Sequence, residues 1–432
     1  MSKSTSSRRE FMSQAAALGM AGAVGGCASM GAGPRAEQDT RGVRTGGMAL
    51  DRSIPERHMP DPGEHIRMAF IGVGSRGGGV LKSALKFDDV DVVAITDTYD
   101  VWRERGINAC KKKRKEVNGY KHFEDMLDKE ELHAVYIGTP DHIHFPAIMA
   151  ALDHGIDVYS EKPMTLNWYQ AKAVRDRVRK TGAVFQTGTQ LRSMPMYQKA
   201  REIVQSGYIG HVVEVNVNRH TSDGTLTRHA PPPEANAGNV DWEAFLRDTP
   251  HYDFDLRRYF VWRLFKEYSN GVAGDLMVHH IDMCHFILGC GMPERVMAAG
   301  GIYEYNDGRS LPDTISVLAE YSEKFHFNYT TTMCNGHYGL VERYLGTEGT
   351  LEVRGMGDMK VFKKDKEQET TAPGIFNEPH LKNFFECIRS REDPIAPVEA
   401  GMMGAICANL AVMSVQSGNT WHWNARTETA SA

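Results

Sequence analysis

The sequence predicts an α/β protein. A doubly wound parallel sheet comes first, and an α+β domain built on an open, mostly antiparallel sheet follows. Three observations predict this. Short apolar runs alternate with helix-period segments from Ile66 to about Thr187, as in a parallel sheet with crossover helices. Strand-length runs of alternating polarity follow one another from Val296 to Phe362, as in an antiparallel sheet with one covered face. Between the first strand and the first helix, Gly72, Gly74 and Gly77 are spaced Gly-x-Gly-x-x-Gly.

In chain order, residues 1–27 read as a leader. Ser7-Arg8-Arg9-Glu10-Phe11-Met12 precedes a mild, Ala- and Gly-rich apolar stretch, the pattern of a twin-arginine export signal. The stretch is too short and weakly apolar for a stable membrane span. Val24-Gly25-Gly26-Cys27 is similar to a lipoprotein cleavage box, so a lipid anchor at Cys27 and plain cleavage nearby both stay open. Residues 28–65, rich in Gly, Pro and Arg, read as a linker. The first domain is expected over 66–187, with strands near 67–71, 90–96, 133–137, 156–160 and 183–186. The second is expected over 188–424, and 425–432 as a tail. A strand at 211–218, a long irregular segment from Arg219 to Asn270, a helix at 275–288, six strands and two closing helices fill the second domain. Asn306-Asp307-Gly308 predicts a hairpin turn.

The composition is that of an ordinary globular protein, 41% hydrophobic and 24% charged, with a net charge of −5. No basic face stands out, so nucleic-acid binding is not indicated. The seven cysteines form no Cys-x-x-Cys pair, which argues against a zinc or disulfide framework.

The glycine pattern sits in a strand–turn–helix–strand unit, and Asp97 ends the second strand. That is a Rossmann dinucleotide fingerprint. Gly72 permits the turn, Gly74 lets backbone approach a pyrophosphate, and Gly77 lets the helix pack on the strand. Ser75 and Arg76 open the helix whose N-terminus meets the phosphates. Asp97 would accept hydrogen bonds from a ribose diol and repel a 2′-phosphate, which favours NAD over NADP. Glu161-Lys162-Pro163 follows the fifth strand directly. There Lys162 would reach the nicotinamide end and favour alkoxide character on a substrate hydroxyl, with Pro163 fixing the turn through a cis bond. An exposed loop lysine fits the same stretch. On the helix from Asp275, Asp275, His279 and Asp282 share one face. A carboxylate beside an imidazole makes His279 a natural proton acceptor, although a capped helix with a structural histidine fits too. A metal site is disfavoured, since the aligned set lacks a third strong nitrogen or thiolate ligand.

Taken together, these stretches resemble the Gfo/Idh/MocA family of NAD(P)-dependent oxidoreductases. The resemblance is carried by Gly72–Gly77, by Thr139-Pro140-Asp141-His142-Ile143-His144, by Glu161-Lys162-Pro163, by the Asp275, His279, Asp282 series and by the turn Gly346-Thr347-Glu348-Gly349. It implies that Lys162 and His279 are the catalytic pair with Asp275 as a polar substrate contact or an orienting contact. It also implies that Thr139, His144 and Glu161 line the cofactor site, and that homodimers or homotetramers form on the exposed sheet face. Where many members carry an Asn-Arg or Arg-Phe pair, this chain has Gln190 and Arg192, so with Asp282 these are the substrate candidates. The aromatics and arginines of Asp241–Asn270 are expected to be mostly anchors, with one or two at the site. The function expected is oxidation of a secondary hydroxyl of a sugar, cyclitol or glycoside by an exported enzyme that carries its NAD with it. Two alternatives stay open: an NAD-dependent glycoside hydrolase working by transient oxidation, and a non-catalytic sugar-binding protein.

Overall fold

The structure is a computed structural model that describes residues 57, 59–113, 116–222, 226, 230–355, 357–363, 366–371 and 378–432. The leader, Cys27 and the linker up to residue 56 lie outside the described residues.

The first domain opens with β1 (Ile66–Ile71), whose side chains are buried except Arg67. Such continuous burial is what a central parallel strand requires. There follow α1 (Ser75–Ala84), β2 (Val90–Thr96), α2 (Asp100–Lys111), β3 (Asn118–Tyr120), α3 (Phe123–Lys129), β4 (Ala134–Ile137), α4 (Asp141–Asp153), β5 (Asp157–Ser160), α5 (Trp168–Thr181) and β6 (Phe185–Thr187). The sheet order is β3-β2-β1-β4-β5-β6. The order reverses between β1 and β4, so a crevice opens beyond their carboxyl ends. Gly72 ends β1 with φ of 83°, and a Cβ there would lie 2.9 Å from the backbone of Gly138, which follows β4. The crevice floor therefore closes tightly only with glycine at Gly72. α5 ends in the left-handed Gly182, with Arg179 and Lys180 in its last turn.

The second domain contains α6 (Pro195–Gln205), β7 (Val212–Arg219), α7 (Trp242–Leu246), α8 (Leu256–Phe260), α9 (Val278–Leu288), β8 (Arg295–Gly301), β9 (Thr314–Tyr321), β10 (Phe325–Thr332), β11 (Leu340–Gly346), β12 (Gly349–Arg354), β13 (Asp358–Lys363) and β14 (Lys366–Thr371). α10 (Glu378–Ser390), α11 (Val398–Ser417), β15 (Trp421–Asn424) and β16 (Thr429–Ser431) close the chain. The sheet runs β14-β13-β12-β11-β7-β10-β9-β8-β15-β16. β7 and β10 are parallel, and the other pairs are antiparallel. Along β10, Phe325, Phe327, Tyr329 and Thr331 are buried while His326, Asn328 and Thr330 are half exposed. That period of two places one covered face and one open face on the sheet.

Three features depart from the expected layout. α10 packs on the first domain: Leu381, Phe384, Phe385 and Ile388 join Ile66, Met68, Phe70, Tyr136 and Tyr159 in one apolar cluster. β15 and β16 extend the sheet through part of the expected tail. Asn306-Asp307-Gly308 lies inside the longer connection from β8 to β9, not in a two-residue hairpin. α11 is apolar and long enough to cross a membrane by length and composition, yet most of it is buried as a core helix.

Candidate active site

A cleft of about 420 Å³ lies over the β1/β4 crevice. Gly72, Gly74, Ser75, Arg76, Asp97 and Thr139 line it, together with Phe245, Tyr259 and Phe260 from the second domain. The glycine loop fits a backbone-bound dinucleotide closely. A Cβ at Gly77 would sit 2.0 Å from the Gly72 carbonyl oxygen, and one at Gly74 2.8 Å from the Trp102 ring. Asp97 accepts from the Val73 N–H at 2.8 Å and the Tyr99 N–H at 2.9 Å. Burial pushes its carboxyl up to about 6 against those two bonds. The Thr139 hydroxyl is buried without a partner, a donor open to a ligand in the cleft. Arg76 reaches back from α1 to Glu161, Nε to Oε1 at 2.8 Å, and Tyr136 donates to the same oxygen at 3.2 Å. His144 lies between the carbonyls of Pro163 and Thr139, at 2.8 and 3.0 Å, and burial holds it below the ordinary imidazole range. It ties the loop after β4 to the turn after β5, where the Lys162–Pro163 bond is cis.

A second cavity, of about 290 Å³, adjoins the first and shares Arg76, Gly138, Thr139, Trp262 and Arg263 with it. Lys162, Gln190, Asp275 and His279 all line it. Lys162 Nζ donates to the Asp275 carbonyl at 2.7 Å and to its Oδ1 at 3.0 Å. Arg263 Nε donates to the same Oδ1 at 3.1 Å. Burial alone would raise the Asp275 carboxyl, but Lys162 and Arg263 hold it well below the usual carboxylate range. His279 is held well below the imidazole range, first by burial and then by Lys162. Its Nδ1 is buried without a hydrogen-bond partner. A neutral ring of this kind can take up a proton.

Residues 66–189 match the family model described as the oxidoreductase family, NAD-binding Rossmann fold, of Gfo/Idh/MocA proteins, and residues 197–352 match that family's C-terminal domain. This chain belongs to the Gfo/Idh/MocA oxidoreductase family. Its first domain is accordingly an NAD-binding Rossmann domain. Similar proteins include a levoglucosan dehydrogenase of Pseudarthrobacter phenanthrenivorans, 24% identical over 58% of this chain and 60% of that protein. A scyllo-inositol 2-dehydrogenase (NAD+) of Bacillus subtilis is 28% identical over 46% of this chain and 55% of that protein. The match thus spans under two thirds of either relative. A levoglucosan dehydrogenase solved with NADH and levoglucosan has the same fold, with a TM-score of 0.66 over 83% of this chain and 99% of that one, at 18% identity.

Within this Gfo/Idh/MocA frame, the sequence-selected residues separate into two groups. Gly72, Gly74, Ser75, Arg76, Asp97 and Thr139 meet at the first cleft, and His144, Glu161, Lys162, Gln190, Asp275 and His279 at the second cavity. Gly77 packs behind the loop. Arg192 and Asp282 line neither cavity. They form a buried forked ion pair, with Arg192 Nη2 2.7 Å and Nε 3.0 Å from the carboxylate. A π-helical turn, Ala273–Met277, precedes α9 and carries Asp275. Asp275 pairs with Lys162 and Arg263 and makes no bond to His279. Lining residues not selected from the sequence include Asp141, Arg219, Trp262, Arg263 and His280. Asp141 stands inside the quoted Thr139–His144 stretch. Trp262 and Arg263 come from the irregular segment, where Trp242, Phe245, Tyr259, Phe260 and Tyr268 pack mainly on one another as anchors.

Proposed function

We propose that this protein oxidises a secondary hydroxyl of a sugar, cyclitol or glycoside, with NAD rather than NADP as hydride acceptor. The observation that carries the reading is that Lys162 and His279 line one cavity continuous with the dinucleotide cleft. The Gly72–Gly77 loop, Asp97 and Thr139 would hold NAD, which would supply the hydride acceptor. His279, held neutral, receives the hydroxyl proton. Lys162 has two of its three N–H donors fixed on Asp275, which orients the amine and leaves one donor for the substrate oxygen. Asp275 therefore acts on the substrate through Lys162. Names of relatives that act on levoglucosan and scyllo-inositol support the polyol class.

The reading includes export by the twin-arginine route with the cofactor already bound, supported by Arg8-Arg9 and the short apolar stretch behind them. It also includes assembly as a homodimer or homotetramer on the open sheet face, and either lipidation at Cys27 or plain cleavage. Purified protein with no added NAD is offered sugars, cyclitols and nitrophenyl glycosides while NADH absorbance and phenol release are followed together. NADH that stops at one equivalent supports a retained cofactor awaiting an acceptor. Steady phenol release without net NADH identifies the glycoside hydrolase cycle instead. No signal until NAD is added overturns retention, and no signal at all overturns the enzymatic reading. Fractionation of cells carrying the Arg8→Lys, Arg9→Lys double variant tests export, which predicts cytoplasmic accumulation.

A further inference from the structure

The substrate cavity holds more positive than negative charge. Arg76, Lys162, Arg219 and Arg263 line it against Asp141, Glu161 and Asp275. Three of the cations are paired: Arg76 with Glu161, and Lys162 and Arg263 both with Asp275. Asp141 accepts from Ser269 Oγ at 3.0 Å, and burial pushes its carboxyl up to about 7. It thus carries at most part of a charge near neutrality. Arg219, among the described residues, has neither an ion-pair nor a side-chain hydrogen-bond partner. It ends β7 two residues past the buried Val217, so the period of two aims it to the covered face of the sheet, toward α9 and the cavity. An unpaired guanidinium in a confined site is a standing demand for an anion, and its planar fork matches a carboxylate.

We infer that the physiological substrate is an acidic sugar, a uronic or aldonic acid, whose carboxylate is held by Arg219. The inference rests on the dehydrogenase reading for the reaction but not for the binding. Arg219 ends in one planar fork that takes a carboxylate in two parallel hydrogen bonds, and a sugar phosphate is the competing anion that the test separates.

The test uses the full chain loaded with NAD. Calorimetry measures binding of galacturonate, gluconate, the matching neutral sugars and a hexose 6-phosphate, and NADH formation is followed in parallel. The acids are expected to bind about 10- to 100-fold more tightly than the neutral compounds, the range of a charged hydrogen-bonded contact. Arg219→Gln should collapse that ratio, and Arg219→Lys should restore part of it. Acid binding without NADH supports the inference while refuting the dehydrogenase reading. Turnover of neutral sugars with no preference for acids overturns the inference and leaves the dehydrogenase reading intact. Preference for the 6-phosphate overturns the carboxylate assignment. An equal loss for acids and neutral sugars in Arg219→Gln also overturns it, because it marks a structural role.

Discussion

Lys162→Met is the sharpest probe of the site, because it keeps the length of the side chain and removes only the donor. Two contacts disappear, to the Asp275 carbonyl at 2.7 Å and to Oδ1 at 3.0 Å. The Asp275 carboxylate is not orphaned, since Arg263 remains at 3.1 Å. The cost in stability should therefore be that of charged hydrogen bonds, about 1–3 kcal/mol, and not the larger penalty of a stranded buried charge. At about 2–4 °C per kcal/mol, Tm should fall by roughly 2–12 °C. The chemical cost should be larger, because the donor faces an oxygen that gains negative character in the transition state. A fall of about 10²–10³ in kcat is the usual size for such a donor. The acid sensitivity should change as well. A carboxyl held below its unfolded value contributes stability that is complete above the unfolded pKa and is lost as pH falls through the folded one. In wild type that loss lies in strong acid; in Lys162→Met the Asp275 carboxyl rises and the loss begins at higher pH. Steady-state turnover, thermal unfolding and NAD titration are read on the same preparation. A variant that binds NAD and keeps kcat within tenfold of wild type would remove Lys162 from the chemistry.

His279→Asn should lower kcat by about 10²–10⁴ with NAD binding retained. Since burial and Lys162 hold the ring below its ordinary range, the acid limb of wild-type kcat should lie below pH 6.5, and a limb at or above that value would contradict the assignment. Asp97, pushed up to about 6, should give NAD affinity that weakens as pH falls below 6, a slope that Asp97→Asn should abolish along with roughly tenfold of the affinity. Its effect on stability has the opposite direction: the raised carboxyl contributes fully below the unfolded value and loses that contribution as pH rises through about 6. Arg192→Met should destabilise the fold by about 3–5 kcal/mol by stranding Asp282, while the KM of folded enzyme stays near wild type. A large rise in KM without loss of Tm would return Arg192 to the substrate site.

The first domain was legible because β1, β2 and β4 are largely apolar runs that end at Gly72, Asp97 and Gly138, and the helix patterns between them are periodic. Asp97, Lys162 and His279 could be selected because each occupies a set place after a strand or on a helix. Asp282 and Arg192 show where that method ends. Asp282 shares a stripe with His279 in projection, yet it meets Arg192, a partner 90 residues away that no local pattern shows. α10 reads as any amphipathic helix, and nothing local in Leu381 or Phe384 says which domain its apolar face will cover. Arg219 had a signal, its place two past Val217 on a half-buried strand, but an arginine at a strand end is usually solvated. The irregular segment is the least legible part, because its partners are remote in sequence.

That segment is sewn to the first domain beside Asp97. Val240 bridges to Tyr99, the Asp241 N–H donates to the Thr98 carbonyl at 2.8 Å, and the Asp100 N–H donates to the Asn239 carbonyl at 3.0 Å. The Thr98 and Tyr259 hydroxyls meet at 2.7 Å, and Phe260 packs edge-on against Tyr99 at 5.2 Å. Contacts this close to Asp97 should slow the escape of a molecule seated there, so its residence time should depend on local opening of the protein as well as on its own contacts. Loosening the seam, for instance with Tyr259→Phe, should speed NAD dissociation without touching a phosphate or a ribose, and stopped-flow displacement of bound NAD checks it.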